Sequence, residues 1–293
     1  MEGVFFMNTE KNQKIWIEKV HENLILRGRS EKTFDNYKCR LSKFFNYYDE
    51  NTNIKKLKEK DIINFLNDEY IKTNRCKNTY NVAVCSIRLL YLVCFDISLS
   101  RILLPTSKLT KRIPTILPKN IFLKIFNNET NLKHKCWLLL AFCSGLRVDE
   151  VATIRIENIN SKEHKIKVLG KGNKERYTVL HDITIKYLRM YYKKNNLTEK
   201  NGYLFKNWSQ KTKENHLNSK TIINYFSVIK DEYKLDSNIS FHSLRHSFAT
   251  YYLKSGGNLL ALQSMLGHTN LNTTTIYLHL SQNFNEISGV KYV

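Results

Sequence analysis

Apolar side chains recur at Ile15, Trp16, Val20, Leu24 and Ile25, a spacing that predicts a helix with one apolar stripe, ended by Gly28. Ser30 is placed to cap a second helix whose inner face carries Phe34, Tyr37, Leu41, Phe44 and Phe45. Asp61 is expected to open a third, with Ile62, Ile63, Phe65 and Leu66, and a fourth pattern runs from about Asn78 to Phe95. Further on, helices are predicted near 119–127 and 131–143, and a turn at Ser144-Gly145 leads into Leu146 to Ile154. The period then changes to two. Lys165–Leu169 and Glu175–Leu180 alternate on either side of Gly170-Lys-Gly-Asn173, which predicts a β-hairpin. Helices are expected again near 183–194, 219–234, 242–255, 258–266 and 271–280. The fold class is therefore mainly α, with a small hairpin in its second half.

Pro105, Pro114 and Pro118 are the only prolines in the chain and fall among Lys108, Lys111 and Arg112. A cluster of helix breakers and charge marks a linker, here 108–117, between an N-terminal helical domain over 1–107 and a second domain over 118–293. A length of 293 residues suits two such domains. Ten Gly and three Pro fall well below the roughly 12% average, which excludes collagen-like and turn-dense all-β chains. The longest nearly uncharged apolar run, Leu89 to Phe95, is too short to span a bilayer, so no membrane partner is expected and a cytoplasmic location is. The six cysteines include no C-x-x-C pair and are expected to be buried free thiols.

Charge changes the picture. Lys and Arg total 47 against 26 Asp and Glu, a net +21, with 19 − 13 = +6 up to residue 110 and 28 − 13 = +15 beyond it. That balance calls for a polyanionic partner. Lys55, Lys56, Lys58 and Lys60 precede the third helix, and Arg75, Lys77 and Arg88 lie in or near the fourth. All are expected to be exposed and to contact phosphate.

Four short motifs stand in order: Ser144-Gly-Leu-Arg147 with Glu150; Gly170-Lys171-Gly-Asn-Lys174; His242-Ser-Leu-Arg245-His246; and Leu266-Gly-His268 followed by Thr273-Thr-Thr-Ile-Tyr277. A phosphodiester under attack concentrates negative charge on its nonbridging oxygens, and guanidinium groups such as Arg147 and Arg245 match it in charge and geometry. His242 and Arg245 are three apart on a predicted helix and share a face. His246, four on from His242, raises a zinc-protease alternative, but that motif needs Glu directly after the first His, where Ser243 stands. His246 is then expected simply to be a buried histidine supporting its helix. The glycine turn is no nucleotide-binding loop, since G-x-x-x-x-G-K-[ST] is absent; a hairpin tip can instead carry Lys171 into a DNA groove as a general acid, with Lys174 beside it on the backbone. Tyr277 has a phenol with a reference pKa of ~10 and needs nearby cations and a proton acceptor to become a nucleophile.

The order Arg, Lys, His-x-x-Arg, His, Tyr resembles the tyrosine site-specific recombinases, the phage-integrase family that includes the Xer proteins. The resemblance spans both domains and is carried by Ser144-Gly-Leu-Arg-Val-Asp-Glu150, Gly170-Lys-Gly-Asn-Lys-Glu-Arg176, His242-Ser-Leu-Arg-His-Ser-Phe-Ala-Thr250 and Leu266-Gly-His-Thr-Asn-Leu-Asn-Thr-Thr-Thr-Ile-Tyr277. It implies that Tyr277 attacks the scissile phosphate of a double-stranded recombination site to give a 3′-phosphotyrosyl link and a free 5′-hydroxyl. No cofactor is implied, ATP is not required and metal takes no chemical part. By position, Arg147 and Arg245 match the phosphate-binding arginines, Lys171 the general acid, His242 the histidine assisting proton transfer at the nucleophile, His268 a further phosphate ligand, and Glu150 the acid supporting the first arginine. The front domain resembles the helical, SAM-like core-binding domain, which closes with the catalytic domain around DNA. The implied assembly is a homotetramer on two duplexes passing through a Holliday junction, with room for an activating accessory protein. The layout looks like Xer, without an arm-binding domain. Phe284, Ile287 and Val290 are the expected anchors of a tail packed into a neighbouring protomer. Asn238-Ile-Ser-Phe replaces the proline-containing turn the family leads one to expect before His242. The rivals are a DNA-binding or architectural protein without catalysis, and a type IB topoisomerase-like enzyme.

Overall fold

A computed structural model describes residues 6–108, 113–170, 175–206, 216–278 and 280–281. The chain forms two compact units, Met1–Lys111 and Arg112–Val293.

The first unit is built from α1 (Glu10–Leu26), α2 (Glu31–Asn46), α3 (Glu59–Leu66) and α4 (Lys77–Phe95). The predicted stripe of α1 buries Trp16, Val20 and Leu24, whereas Ile25 faces solvent. Helix α3 starts two residues before Asp61, because the Asp61 carboxylate reaches back from the third helical position to accept the Lys58 backbone N–H at 2.8 Å. Aromatic edges lock the interior: Trp16 against Phe95 at 5.3 Å and Phe44 against Phe65 at 5.2 Å between ring centroids. The 19-residue α4 is long and apolar enough to cross a membrane, but Ala83, Val84, Ile87, Leu90 and Tyr91 are buried against α1 and α2 in the unit's core. Lys55, Lys56, Arg75 and Lys77 are exposed, as expected. Arg88 is not. Its guanidinium is partly buried and donates to the Leu104 carbonyl, closing the turn after α4. The cysteines are free, but Cys39 and Cys76 are exposed, and only Cys136 is fully buried.

The second unit contains α5 (Lys119–Asn128), α6 (Leu132–Ser144), α7 (Val148–Ala152), β1 (Ile159–Asn160), β2 (Lys165–Leu169), β3 (Glu175–Val179), α8 (Asp182–Lys194), α9 (Ser219–Glu232), α10 (Phe241–Lys254) and α11 (Leu259–Leu266). Six consecutive buried residues, Cys136 to Ala141, show that α6 is the central helix, wrapped by neighbours that include α8 and α10. The hairpin gains a two-residue third strand, giving an antiparallel sheet of order β1-β2-β3 with Ile166 opposite Thr178 and Val168 opposite Arg176. On β3 the alternation is inverted: Arg176 and Thr178 are buried while Tyr177 is exposed. Polar groups point inward there because they have partners, Thr178 donating to the Ser144 carbonyl at 2.7 Å. The segment expected as one helix over 271–280 begins as a 3₁₀ turn at Leu271–Thr273, with helical residues at 275–278 and 280–281.

Candidate active site

Ser240 starts α10: its extended backbone precedes the helix, and its N–H is accepted by the Ser243 hydroxyl at 3.1 Å. The helix is fixed from behind, where Ser247 accepts the Leu117 N–H at 2.7 Å and Tyr251 accepts the Lys119 N–H at 2.9 Å. Helical spacing then sends Arg245 inward. Its side chain is 1% exposed and donates Nη1 to the Gly145 carbonyl at 2.7 Å and Nη2 to the Leu266 carbonyl at 2.6 Å. Both carbonyls belong to helix C-termini, of α6 and α11, whose unpaired acceptors and negative dipole ends suit a cation. Gly145 (φ +67°) and Gly267 (φ +65°) make those ends possible. Burial and the Arg147 charge lower the Arg245 pKa, yet leave it well above neutrality and the group charged.

Arg147 precedes α7, where Glu150 grips it twice: the carboxylate accepts its backbone N–H at 2.7 Å and its Nη1 at 2.8 Å. Glu150 also accepts both terminal nitrogens of Arg176 at 2.7 Å and lies 3.8 Å from Arg245 Nη1. Burial alone would raise this carboxyl. Pairing with Arg176, the Arg147 N–H and the Arg245 charge overcome that and hold its pKa at about 2. One carboxylate thus spaces three guanidiniums. Arg176 further donates Nε to the Met265 carbonyl at 2.7 Å, tying β3 to the end of α11.

His268 follows α11. Arg245 Nη2 approaches its Nε2 at 3.3 Å, and a guanidinium can only donate, so Nε2 accepts and the Nδ1–H faces Thr274 Oγ1 at 3.0 Å. Burial and the surrounding guanidiniums push its pKa down to about 4. The His268 ring lies parallel to that of Tyr277 with centroids 6.4 Å apart. Tyr277 is 3% exposed; burial raises its pKa, while the charges of Arg245 and Arg147 act in the opposite direction. Its hydroxyl oxygen is 2.7 Å from His246 Nδ1. His246, pushed to about 3 by burial and its cationic neighbours, meets His242 edge to face at 4.6 Å. His242 is exposed, and surrounding protein together with Arg245 and Arg147 lowers its pKa.

Arg147, Glu150, His242, Arg245, His268 and Tyr277 therefore converge from α7, α10 and the stretch after α11. Lys171 and Lys174 lie outside the described residues, as do Phe284, Ile287 and Val290. Residues 118–283 match the phage integrase family, and residues 16–99 match the N-terminal SAM-like domain of phage integrases. The chain belongs to the phage integrase family. Among its relatives is the tyrosine recombinase XerD of Haemophilus influenzae, 27% identical over 280 residues covering 91% of both chains. Similar solved structures include the XerH site-specific recombinase bound to a palindromic difH substrate after cleavage (TM-score 0.71, 22% identity, 90% of this chain and 81% of that one). Another is a lambda integrase tetramer bound to a Holliday junction (TM-score 0.70, 17% identity, 90% and 76%).

In this member of the phage integrase family, three site residues escaped sequence reasoning. His246 was assigned to the core, but its ring nitrogen is at the Tyr277 hydroxyl. Arg176 closes the Gly170 motif, and its signal is an arginine on the same strand face as Thr178, opposite Val168. Thr274 is fully buried and receives His268, which the weak helix propensity of its threonine run did not reveal.

Proposed function

We propose that Tyr277 of this tyrosine recombinase cuts a DNA strand at a defined site, holds its 3′ end as a phosphotyrosyl ester, and yields it to the 5′-hydroxyl of a partner strand. The reading is carried by the unbroken chain of contacts from Arg147 through Glu150 to Arg245, His268, Tyr277 and His246. Two guanidiniums beside a phenol are what a pentacoordinate phosphorus needs: positive charge on its nonbridging oxygens and a nucleophile on one side. In this scheme Arg147 and Arg245 bind the phosphate with His268 beside them, Lys171 protonates the departing 5′ oxygen, and His242 assists proton transfer at the nucleophile. The bond energy is kept in the ester, so neither ATP nor another cofactor is called for. Exposed Lys55, Lys56, Arg75 and Lys77 hold the backbone of the duplex, and Lys174 adds a further phosphate contact. The solved lambda integrase tetramer supports four protomers and a Holliday junction as the working assembly. Chemistry on DNA assigns the chain to the cytoplasm.

The deciding experiment incubates the protein with fragments of its source genome, denatures the mixture and recovers covalently attached DNA. A nicked duplex made from the trapped sequence, from which the small product diffuses away, should then accumulate the adduct. Tyr277→Phe should give none while retaining DNA affinity within about twofold, since only one oxygen is lost. Binding without adduct by the unaltered chain would favour an architectural protein, and relaxation of arbitrary supercoiled plasmid a topoisomerase.

A further inference from the structure

A departing 5′ oxygen takes a proton efficiently only when the acid stands at a set distance from the phosphorus that the arginines hold. Lys171 is that acid in the reading above; it follows the end of β2 by two residues, and β3 begins at Glu175. We infer that Arg176, the second residue of β3, is the positioning residue for this proton transfer: it fastens the root of the hairpin to the elements around the phosphate and so sets where the lysine is delivered. The inference rests on the recombinase reading and deepens it, since Arg176 acts through other groups and exchanges no proton itself.

The root of the hairpin is one stiff piece. Leu169 pairs with Glu175 and Val168 with Arg176, and Lys167 Nζ meets Glu175 Oε1 at 2.6 Å. On the β2 side a cleft of about 190 Å³ intervenes before α7, lined by Leu146, Glu150 and Thr153 and by Lys167, Val168 and Leu169. An open cleft transmits no packing force, so this side leaves the hairpin room to shift. On the β3 side Arg176 bridges two elements at once. Nε donates to the Met265 carbonyl at the end of α11, and Nη1 and Nη2 donate to Glu150 in α7, each at 2.7 Å. The side chain is 7% exposed, and its stem lies so close to Gly267 that an added methyl group there would come within 2.7 Å of Arg176 Cδ. The bond from Thr178 to the Ser144 carbonyl lies two residues farther along β3. Among the described residues, Arg176 is therefore the tie nearest the tip.

A planar fork with all three nitrogens engaged fixes angle as well as distance between the strand and its neighbours, which an ammonium on a flexible stem does not. Its loss should spare the phosphate clamp, because Glu150 still accepts the Arg147 N–H and Nη1 and still faces Arg245. What goes is the hold on the strand, and an error of about 1 Å in the place of a reacting group costs about 100-fold. The defect then falls on one event: the proton passing from Lys171 to O5′ as the P–O5′ bond breaks and the Tyr277 Oη–P bond forms.

A leaving group that needs no proton isolates that event. Arg176→Met keeps an apolar stem and removes the fork, and Arg176→Lys keeps the charge beside Glu150 should the first variant not fold. Each is given the nicked duplex in its ordinary form and with sulfur replacing the scissile 5′-bridging oxygen, whose thiolate departs unprotonated. Single-turnover cleavage of the ordinary duplex should fall at least about 30-fold at nearly unchanged gel-shift affinity, and the sulfur-bridged duplex should be cut within about threefold of the unaltered chain. A deficit equal on both duplexes would overturn the inference, because Arg176 would then be supporting the clamp or the fold at large. Ordinary cleavage within about threefold by both variants would overturn it too. Lys171→Ala tests the acid separately: if sulfur does not restore its cleavage, Lys171 is not the proton donor and Arg176 has nothing to position. Failure of the unaltered chain to form any adduct would instead sink the recombinase reading itself.

Discussion

Arg245 shows how much of a site can rest on one side chain. Its two terminal nitrogens are bonded to the Gly145 and Leu266 carbonyls, one of them also faces His268, and Glu150 balances its charge from 3.8 Å. A lysine has the charge but a single ammonium, which cannot reach two carbonyls from different helices and still aim at a phosphate. Arg245→Lys should therefore lose about 100- to 1,000-fold in single-turnover cleavage while binding the same duplex within about tenfold, a split read by comparing adduct formation with gel shift. At this scale the sequence was informative where charge and spacing coincide, as for Arg147, Glu150, Arg245 and His268. It was silent on His246, because helical periodicity says that a residue points inward but not what it meets. Its partner lies 31 residues further on, and a buried histidine facing leucine would have the same local pattern.

At the scale of elements, the site is held by helix ends. Helices α6 and α11 each stop at a glycine in left-handed conformation, and the two ends turn carbonyls onto one guanidinium. A methyl group added at Gly145 would come within 2.4 Å of the Phe248 ring, on top of the cost of a positive φ. Gly145→Ala should destabilise the protein by about 2 to 4 kcal/mol, measured by urea unfolding, and lower cleavage in the fraction that remains folded. Long amphipathic helices were legible because each repeats its pattern over several turns. The strand β1, two residues long, offers no repeat to read, and the stretch after α11 starts with a 3₁₀ turn at its threonine run before helical residues begin at 275. The inward Arg176 follows from strand alternation only once the sheet is known to face the site.

For the molecule as a whole, both units are basic, and the sequence alone disclosed that. What it could not separate is cations facing DNA from cations absorbed by the fold, as the Arg88 guanidinium is absorbed by the Leu104 carbonyl. Counterion release distinguishes them. If Lys55 and Lys56 each meet a phosphate, the double variant Lys55→Ala, Lys56→Ala should flatten the slope of log affinity against log salt by about 1.8, whereas a change confined to affinity at one salt concentration would show that they do not.

Acidity tests the same cationic design from the folding side. His246 and His268 have pKa values lowered to about 3 and about 4, against ~6.5 in an unfolded chain. Between those limits the unfolded state binds protons that the folded state refuses, so stability rises with pH and is lost as pH falls below ~6.5. Each histidine contributes up to about 1.4 kcal/mol per pH unit in that window. Glu150 has the same sign but another range: its pKa is about 2 in the fold, so its pairing is complete above the ordinary carboxylate value of ~4.3 and fades only below it. Urea unfolding between pH 4.5 and 6.5, a window set by these limits, should consequently show stability falling toward acid. His246→Gln should reduce that slope by close to one proton. An unchanged slope would mean that His246 is free to protonate in the folded protein, and that neither burial nor the Arg245 charge holds its imidazole neutral.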